Sequence, residues 1–144
     1  MYVNGKKLGG ILTETLPLVR RERATVVIGV GLNVNSTLSD YPEELLPTVA
    51  TLADTTKKTF DLQRLLDSLV DAILHQVHIL EENKDKLLVQ WDRRDYLKEK
   101  SMQWSNGRSV ISGIGQGIQS DGRYSLIDAS GVLHSILAGT VKPG

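Results

Sequence analysis

Two adjacent lysines followed by two glycines form the part of this sequence best suited to hold an anion. Lys6 and Lys7 run directly into "LGGILTE", a strand-like segment that lacks side chains at Gly9 and Gly10. Glycine weakens a strand, and its usual uses there are a bulge or the close approach of another group to the backbone. A lysine ammonium facing an anionic ligand would explain the pattern. Exposed lysines beside a tightly packed strand would explain it too, and the segment alone favours that second interpretation.

A second glycine segment, "GVGLNVN" at residues 29–35, partly imitates a phosphate-binding loop. A dinucleotide-binding fingerprint needs a third glycine and a helix directly after it. Here Asn33 leads into a polar loop, so the Rossmann interpretation fails. Backbone amides near Gly29 and Gly31, together with the Asn33 amide, could still face a nucleotide. A strand end packed close to a neighbour is the alternative that the local sequence favours.

Composition excludes several classes of protein. The 144 residues include 17 basic and 17 acidic side chains, so no net charge argues for nucleic acid or an anionic membrane. Cysteine is absent, which removes thiolate metal sites and thiol catalysis and fits a reducing cytoplasm. The three histidines have no metalloprotease spacing, and no site for a protein-bound metal is expected. No apolar run has the length of a membrane span.

Turn residues and hydrophobic periodicity predict the first hundred residues. Asn4-Gly5 predicts a type I′ hairpin turn, followed by a strand from about Lys7 to Thr15. Residues 16–23 are expected to connect it to a buried strand within residues 24–34, in a larger sheet. Beyond a possible short helix near residues 47–54, helical spacing predicts an amphipathic core-covering helix over 61–82, capped by Asp61. A second helix, at about 84–96, is expected to bury its apolar residues, Leu87, Leu88 and Trp91.

Glycine turns dominate the residues after Lys100. Asn-Gly, Asp-Gly and Ser-Gly pairs recur at roughly ten-residue spacing, which indicates short strands in a small curled barrel. Gly113, Gly115 and Gly117 alternate along one predicted strand, as tight curvature would require. This region has three basic residues and few aromatic ones, so a nucleic-acid-binding barrel is poorly supported. We expect one domain over residues 1–98 and a second over 99–144.

Taken in order, these segments resemble the C-terminal half of biotin protein ligase. The similar features are "NGKKLGGILTE", "VVIGVGLNVN", "YPEELLPTVATL", the long amphipathic helix, "QWDRRD" and a glycine-punctuated barrel ending in "LAGTV". The resemblance implies an α+β fold. A partial mixed or antiparallel sheet with packed helices, half of a class II synthetase-like ligase domain, would precede a small SH3-like β-barrel.

The resemblance also implies a two-step reaction. Biotin carboxylate would attack the α-phosphate of ATP, with Mg²⁺ on the triphosphate, to give biotinyl-5′-AMP and pyrophosphate. A lysine of the biotin carboxyl carrier domain of acetyl-CoA carboxylase would then take the biotinyl group and release AMP. Lys7 matches the catalytic lysine of the family and would also contact biotin. Biotin would lie against Gly10, with the backbone of Ile11 and Leu12 continuing that wall.

The nucleotide side of the resemblance is carried by Gly29 and Asn33, which match the family's G-x-G-x-N positions. Adenine contacts are poorly specified, because the loop position where some members place an aromatic side chain is expected to offer only aliphatic residues such as Val49.

The family's K-W-P-N-D motif and its arginine-rich biotin loop would lie upstream of this region. We therefore expect the distal half of a ligase, inactive by itself. The alternative is a non-catalytic interaction module that uses its sheet edges to form a homodimer or to dock the carrier.

Overall fold

The structure is a computed structural model of the chain and describes residues 1–16 and 25–144. The connection expected over residues 16–23 therefore lies, apart from Leu16, outside the described residues. The described residues form two compact units, Met1–Leu69 and Val70–Gly144. The domain division expected between residues 98 and 99 stays a prediction.

A tight hairpin opens the first unit. Asn4 and Gly5 have φ angles of 49° and 78°, the two positive values that a type I′ turn requires, which confirms the turn expected here. The turn sets the register in which Tyr2 faces Lys7. The returning strand breaks at Leu8, so the element expected from Lys7 to Thr15 is two strands. The strands of this unit are β1 (Tyr2–Val3), β2 (Lys6–Lys7), β3 (Gly9–Leu16) and β4 (Thr25–Leu32).

β3 and β4 form an antiparallel pair without a third strand among the described residues, and not the larger sheet that was expected. The prediction that the second strand is buried is wrong. Val26 and Val27 are each 48% exposed, and Leu12 on the partner strand is 64% exposed. The β-branched composition is that of an interior strand, but the described residues leave the side chains of residues 25–28 largely exposed.

Residues 33–60 fold back along the first strands. A hydrogen-bonded bridge joins Lys7 to Val49, and the Asn35 side chain pairs with both backbone groups of Phe60. Thr51, fully buried, caps the short helix α1 by accepting a hydrogen bond from the Asp54 amide. The helix expected near residues 47–54 begins later than predicted. The elements here are two 3₁₀ helices, Leu38–Asp40 and Glu43–Leu45, and α1 (Leu52–Thr56).

The long amphipathic helix forms where it was expected, as α2 (Leu62–Glu82). Asp61 accepts hydrogen bonds from the amides of Gln63 and Arg64, which confirms its capping role. The expectation that this helix covers a core is not met among the described residues, since only Ile79 is buried. Its apolar stripe is largely exposed at Leu62, Leu66, Val70, Leu74, Val77 and Leu80.

Helix α3 (Lys84–Asp92) is shorter than the element predicted over 84–96. The Asn83 side chain caps it by accepting from the Lys86 amide. Trp91 is 42% exposed and touches the Tyr124 ring edge-on, with 5.8 Å between ring centroids. The expectation that Trp91 is buried is therefore wrong, because α3 ends one residue after it and its ring lies at the surface.

Five antiparallel strands complete the second unit in the spatial order β8-β7-β6-β5-β9. A small curled barrel was expected here, and among the described residues no hydrogen-bonded pairing joins β8 to β9 to close the sheet. The α+β class is confirmed. Met102, Leu126 and Ile136 form the core of this unit. The strands are β5 (Ser101–Ser105), β6 (Val110–Ile118), β7 (Tyr124–Asp128), β8 (Leu133–Ile136) and β9 (Thr140–Pro143).

The glycines of β6 bend it as the sequence indicates. A side chain at Gly113 would collide with the backbone of Ile127, and one at Gly115 with the backbone of Leu97. Gly117 has a φ of 100° and lies at a register shift in the pairing with β7. Curvature and close packing at these positions need glycine.

Candidate functional site

The first unit contains a cavity of about 540 Å³ at the end where the hairpin meets β3 and β4. Its lining comes from three parts of the chain that are distant in sequence: the start of the hairpin's return, the end of β4 and the 41–49 segment. The lining residues are Lys7, Gly9, Gly10, Gly31, Leu32, Asn33, Tyr41, Leu45, Thr48 and Val49.

Lys7 is held at this cavity by its backbone. Its amide donates to the Thr48 carbonyl at 2.6 Å, and its own carbonyl accepts from the Ala50 amide at 2.9 Å. The side chain is exposed and lines the cavity, and its ammonium makes no hydrogen bond or ion pair with the described residues. The backbone of Lys7 is thus fixed, while its ammonium group has no partner among the described residues. An anionic group entering the cavity would find a charge that no carboxylate of the described residues has already neutralised.

The electrostatics of the cavity are positive. None of its lining residues is acidic. The α-ammonium group of Met1 donates to the Gly9 carbonyl at 2.8 Å, and its pKa is lowered, chiefly by partial burial and further by the charge of Lys7. This effect of Lys7 indicates that its charge lies near the Met1 amine.

Gly10 and Gly31 form the floor of the cavity. They are direct partners across the β3–β4 pair, so their missing side chains would lie on the same face. A Cβ atom built on either glycine meets no atom within 4 Å. Gly9 differs, because a Cβ atom there would collide with the Gly31 carbonyl oxygen. One glycine of the pair in "LGGIL" therefore allows strand packing, and the other leaves space.

Asn33 lines the cavity while its side chain is used for structure. Its amide nitrogen donates to the Ala50 carbonyl at 3.0 Å, and its backbone groups bond to Leu8 and Leu52. The side-chain oxygen has no hydrogen bond to the described residues. Asn33 thus ties the end of β4 to the 50–52 segment and keeps an acceptor at the site.

Three residues predicted for the site do not line the cavity. Ile11 follows Gly10 and so projects from the opposite face of the strand, where it is 60% exposed. Leu12 and Gly29 share the face of Gly10 but lie two residues farther along the paired strands. The structure brings Lys7, Gly10 and Asn33 together around one cavity. The ligand roles assigned to all of these residues stay predictions.

One side chain of the site, an aromatic one, was not predicted from the sequence. Tyr41 lines the cavity beside Leu45 and Val49, although the loop was expected to offer only aliphatic residues. The signal was present as the aromatic residue directly before Pro42 in "YPEELLPTV". Without coordinates, a loop tyrosine is hard to assign to a cavity at the end of β4, since it lies nine residues after Leu32.

The described residues contain no cluster of three or more side chains of His, Asp or Glu that could hold a metal ion. In the same part of the chain, no helix is both long and apolar enough to cross a membrane.

Comparison with curated proteins gives two similar sequences. The bifunctional ligase/repressor BirA of Bacillus spizizenii (strain ATCC 23059 / NRRL B-14472 / W23) and that of Bacillus subtilis (strain 168) are each 41% identical over 61 residues. The match spans 42% of this chain and 18% of each relative. No protein-family model matches the chain.

Comparison with solved structures gives the fold. The apo biotin protein ligase of Aquifex aeolicus superposes with a TM-score of 0.80 at 20% identity, covering 99% of this chain and 62% of that one. The same protein in complex with biotin and ATP gives a TM-score of 0.77, with 99% and 59% coverage. The resemblance expected from the sequence is confirmed: the similar sequences are those of the ligase/repressor BirA, and the similar solved folds are those of biotin protein ligase. The chain spans about three-fifths of the solved ligase.

Proposed function

We propose that the chain is the distal part of a biotin protein ligase and that its cavity takes up biotinyl-5′-AMP. The observation that carries the proposal is the free ammonium of Lys7 beside a glycine floor, in a cavity without acidic lining. An acyl adenylate presents an anionic phosphate next to flat apolar groups, and the cavity offers a partner for each. The similarity to BirA and to the Aquifex fold supports the same assignment.

In the activation step, a carboxylate oxygen of biotin attacks the α-phosphorus of ATP, and the bond to the leaving pyrophosphate breaks. Negative charge builds on the phosphoryl oxygens during this exchange. Lys7 would stabilise that charge, because an ammonium on a flexible stem can follow it from the carboxylate to the phosphate. In the transfer step, a lysine amine of the carrier domain attacks the biotinyl carbonyl, and AMP leaves.

The cavity walls suit the flat parts of such a ligand. Gly10 and Gly31 leave an open surface against which a ring can lie, and Tyr41, Leu45 and Val49 add one aromatic and two aliphatic side chains to the lining. Stacking on a tyrosine ring is tolerant of ring identity and favours planar groups. We assign the adenine of the adenylate to this wall.

Magnesium does not fit the described residues as a protein-bound ion. The cavity lining has no carboxylate, and its oxygen donors are neutral groups, such as those of Asn33 and Thr48. Mg²⁺ prefers carboxylate, phosphate and water oxygens. The residues of this chain thus leave its coordination to the triphosphate and to water.

The test is a binding measurement on the chain itself. We expect biotinyl-5′-AMP to bind in calorimetry, and Lys7→Met, which keeps the aliphatic stem and removes the charge, to weaken binding at least tenfold. Lys58→Met serves as the matched control, because Lys58 is exposed and outside the cavity. Equal affinity in the wild type and Lys7→Met would reject the assignment of Lys7.

A second candidate function rests on the bare β3–β4 pair. Both strands have free edges among the described residues, and Leu12, Val26 and Val27 are each about half exposed or more. Such strands readily recruit other strands, so a self-associating module is the alternative. It predicts a sedimentation coefficient that rises with protein concentration and falls back in Val26→Lys. A strict monomer at all concentrations contradicts it.

A further inference from the structure

The two adjacent lysines of β2 do different work. Successive side chains of a strand point to opposite faces, so Lys6 and Lys7 diverge. Lys7 lines the cavity and its ammonium is free, whereas the Lys6 ammonium donates to the Leu46 carbonyl at 2.9 Å. That contact joins residues 40 positions apart, and Lys6 is partly buried where Lys7 is exposed. A charge-assisted bond at a partly buried position is among the stronger single contacts in a protein.

The Leu46 carbonyl belongs to the wall of the cavity. Leu45 directly precedes it, Thr48 and Val49 follow it, and all three line the cavity. The backbone of Lys7 ties the later part of this wall through Thr48 and Ala50. Lys6 is the side-chain contact that ties the earlier part to the strand.

We propose that Lys6 is a positioning residue that fixes the 45–49 wall over the Gly10–Gly31 floor and so sets the width of the cavity. The Lys7 backbone also ties the later part of the wall at Thr48 and Ala50, whereas the earlier part is otherwise held by the local turn, in which the amides of Thr48 and Val49 both donate to the Leu45 carbonyl. The Lys6 ammonium adds a tie at the Leu46 carbonyl, so its loss should let the earlier part of the wall move relative to the floor.

The chemistry of this contact makes it sensitive to the type of side chain. The donor must reach across to a backbone carbonyl, which a long cationic side chain does and a neutral or short one does not. Arginine offers comparable reach and several donors, while methionine keeps the stem and removes the donor. The pair Lys6→Met and Lys6→Arg therefore separates the hydrogen bond from the packing of the stem.

The experiment follows the methyl signals of Leu45 and Val49 by NMR, together with hydrogen exchange at the Thr48 and Val49 amides. We expect Lys6→Met to shift these methyl signals and to speed exchange of the two amides at least fivefold. The signals of Met102 and Leu126, in the other unit, should stay in place. Lys6→Arg should restore the wild-type pattern, and Lys6→Gln, too short to reach, should behave like Lys6→Met if the methionine variant fails to fold. Unchanged methyl signals and exchange in both neutral variants would overturn the proposal.

The ligand arm rests on the proposed function. Titration with biotinyl-5′-AMP should show at least tenfold weaker binding in Lys6→Met and recovery to within threefold in Lys6→Arg. Wild-type binding that Lys6→Met leaves unchanged overturns the positioning role. If the wild-type chain does not bind the adenylate while the wall signals respond as expected, the proposed function fails and the Lys6 contact stands.

Discussion

At the scale of single residues, Gly9 and Gly10 are neighbours in the sequence with different roles, since one allows close packing and the other leaves open space. Gly9 lies against the Gly31 carbonyl and Gly10 faces open space. The pleat of the strand explains both, because a Cβ atom at Gly9 would point at neighbouring backbone whereas one at Gly10 would point into the cavity. The sequence shows two glycines and two lysines. The register of β3 with β4 tells which glycine borders open space, and the placement of β2 tells which lysine lines the cavity.

The two glycines give opposite predictions on substitution with alanine. Gly9→Ala should lower the free energy of unfolding by about 1–3 kcal/mol, because the new methyl group overlaps backbone that cannot move aside. Gly10→Ala should change it by less than about 0.5 kcal/mol, since its methyl group enters open space. Urea unfolding measures both. In titrations with biotinyl-5′-AMP, the stable Gly10→Ala variant should bind less tightly than the wild type, because its methyl group takes up space in the cavity. Equal stability losses would show that the two positions do not differ as described.

At the scale of elements, local signals predicted well whatever depended on local chemistry. The Asn4-Gly5 turn, the Asp61 cap and the α2 periodicity are each determined within a few residues, and each forms as expected. The burial of β4 and of α2 was predicted badly, because apolar residues in a strand or helix show only that burial would be favourable, and not that another element covers them. Whether β4 has one depends on chain that is distant or outside the described residues.

The end of β7 shows an element boundary held by one carboxylate. Asp128 accepts hydrogen bonds from the amides of Ser130 and Val132 and from the Ser130 hydroxyl, and it contacts His134 at 2.6 Å. The pKa of Asp128 is lowered well below its usual range, first by the hydrogen bond with His134 and then by that with the Ser130 hydroxyl. This turn joins β7 to β8.

Acid should weaken this turn. The folded-state pKa of Asp128 is below the unfolded value of about 3.9, so the carboxylate contributes stability above that pH, and the contribution is lost as pH falls towards the folded pKa. The urea midpoint of the wild type should therefore fall more steeply between pH 5 and pH 3, a window of about two units, than that of Asp128→Asn. Ser130→Ala, which removes one of the hydrogen bonds, should be intermediate. Identical slopes in all three proteins would show that the carboxylate does not stabilise the fold.

At the scale of the whole molecule, the chain carries more apolar surface than its described elements cover. Leu74 on α2 is 62% exposed and Ile11 on β3 is 60% exposed. A soluble protein rarely leaves such stripes bare. The composition is that of an ordinary globular protein with balanced charge. The exposed apolar surface could therefore be predicted only from the resemblance to a longer protein.

We expect the isolated chain to show no ligase turnover. The cavity is bounded by short strands and one loop segment, so water would reach an adenylate held there, and the chain spans only 62% of the solved ligase. Pyrophosphate release and biotin incorporation into a carrier domain should both stay at the level without protein, with Bacillus subtilis BirA as positive control. Turnover by the isolated chain would show that these residues suffice for catalysis.

The two-residue loop at Asn4-Gly5 has a further consequence. Its length fixes which lysine stands opposite Tyr2. One inserted residue that shifted the β1–β2 pairing by a single step would exchange the positions of the two lysines. Lys6 would then line the cavity, and Lys7 would take the position that now bonds to the Leu46 carbonyl. Which lysine lines the cavity therefore depends as much on the number of residues in the hairpin loop as on the lysine itself.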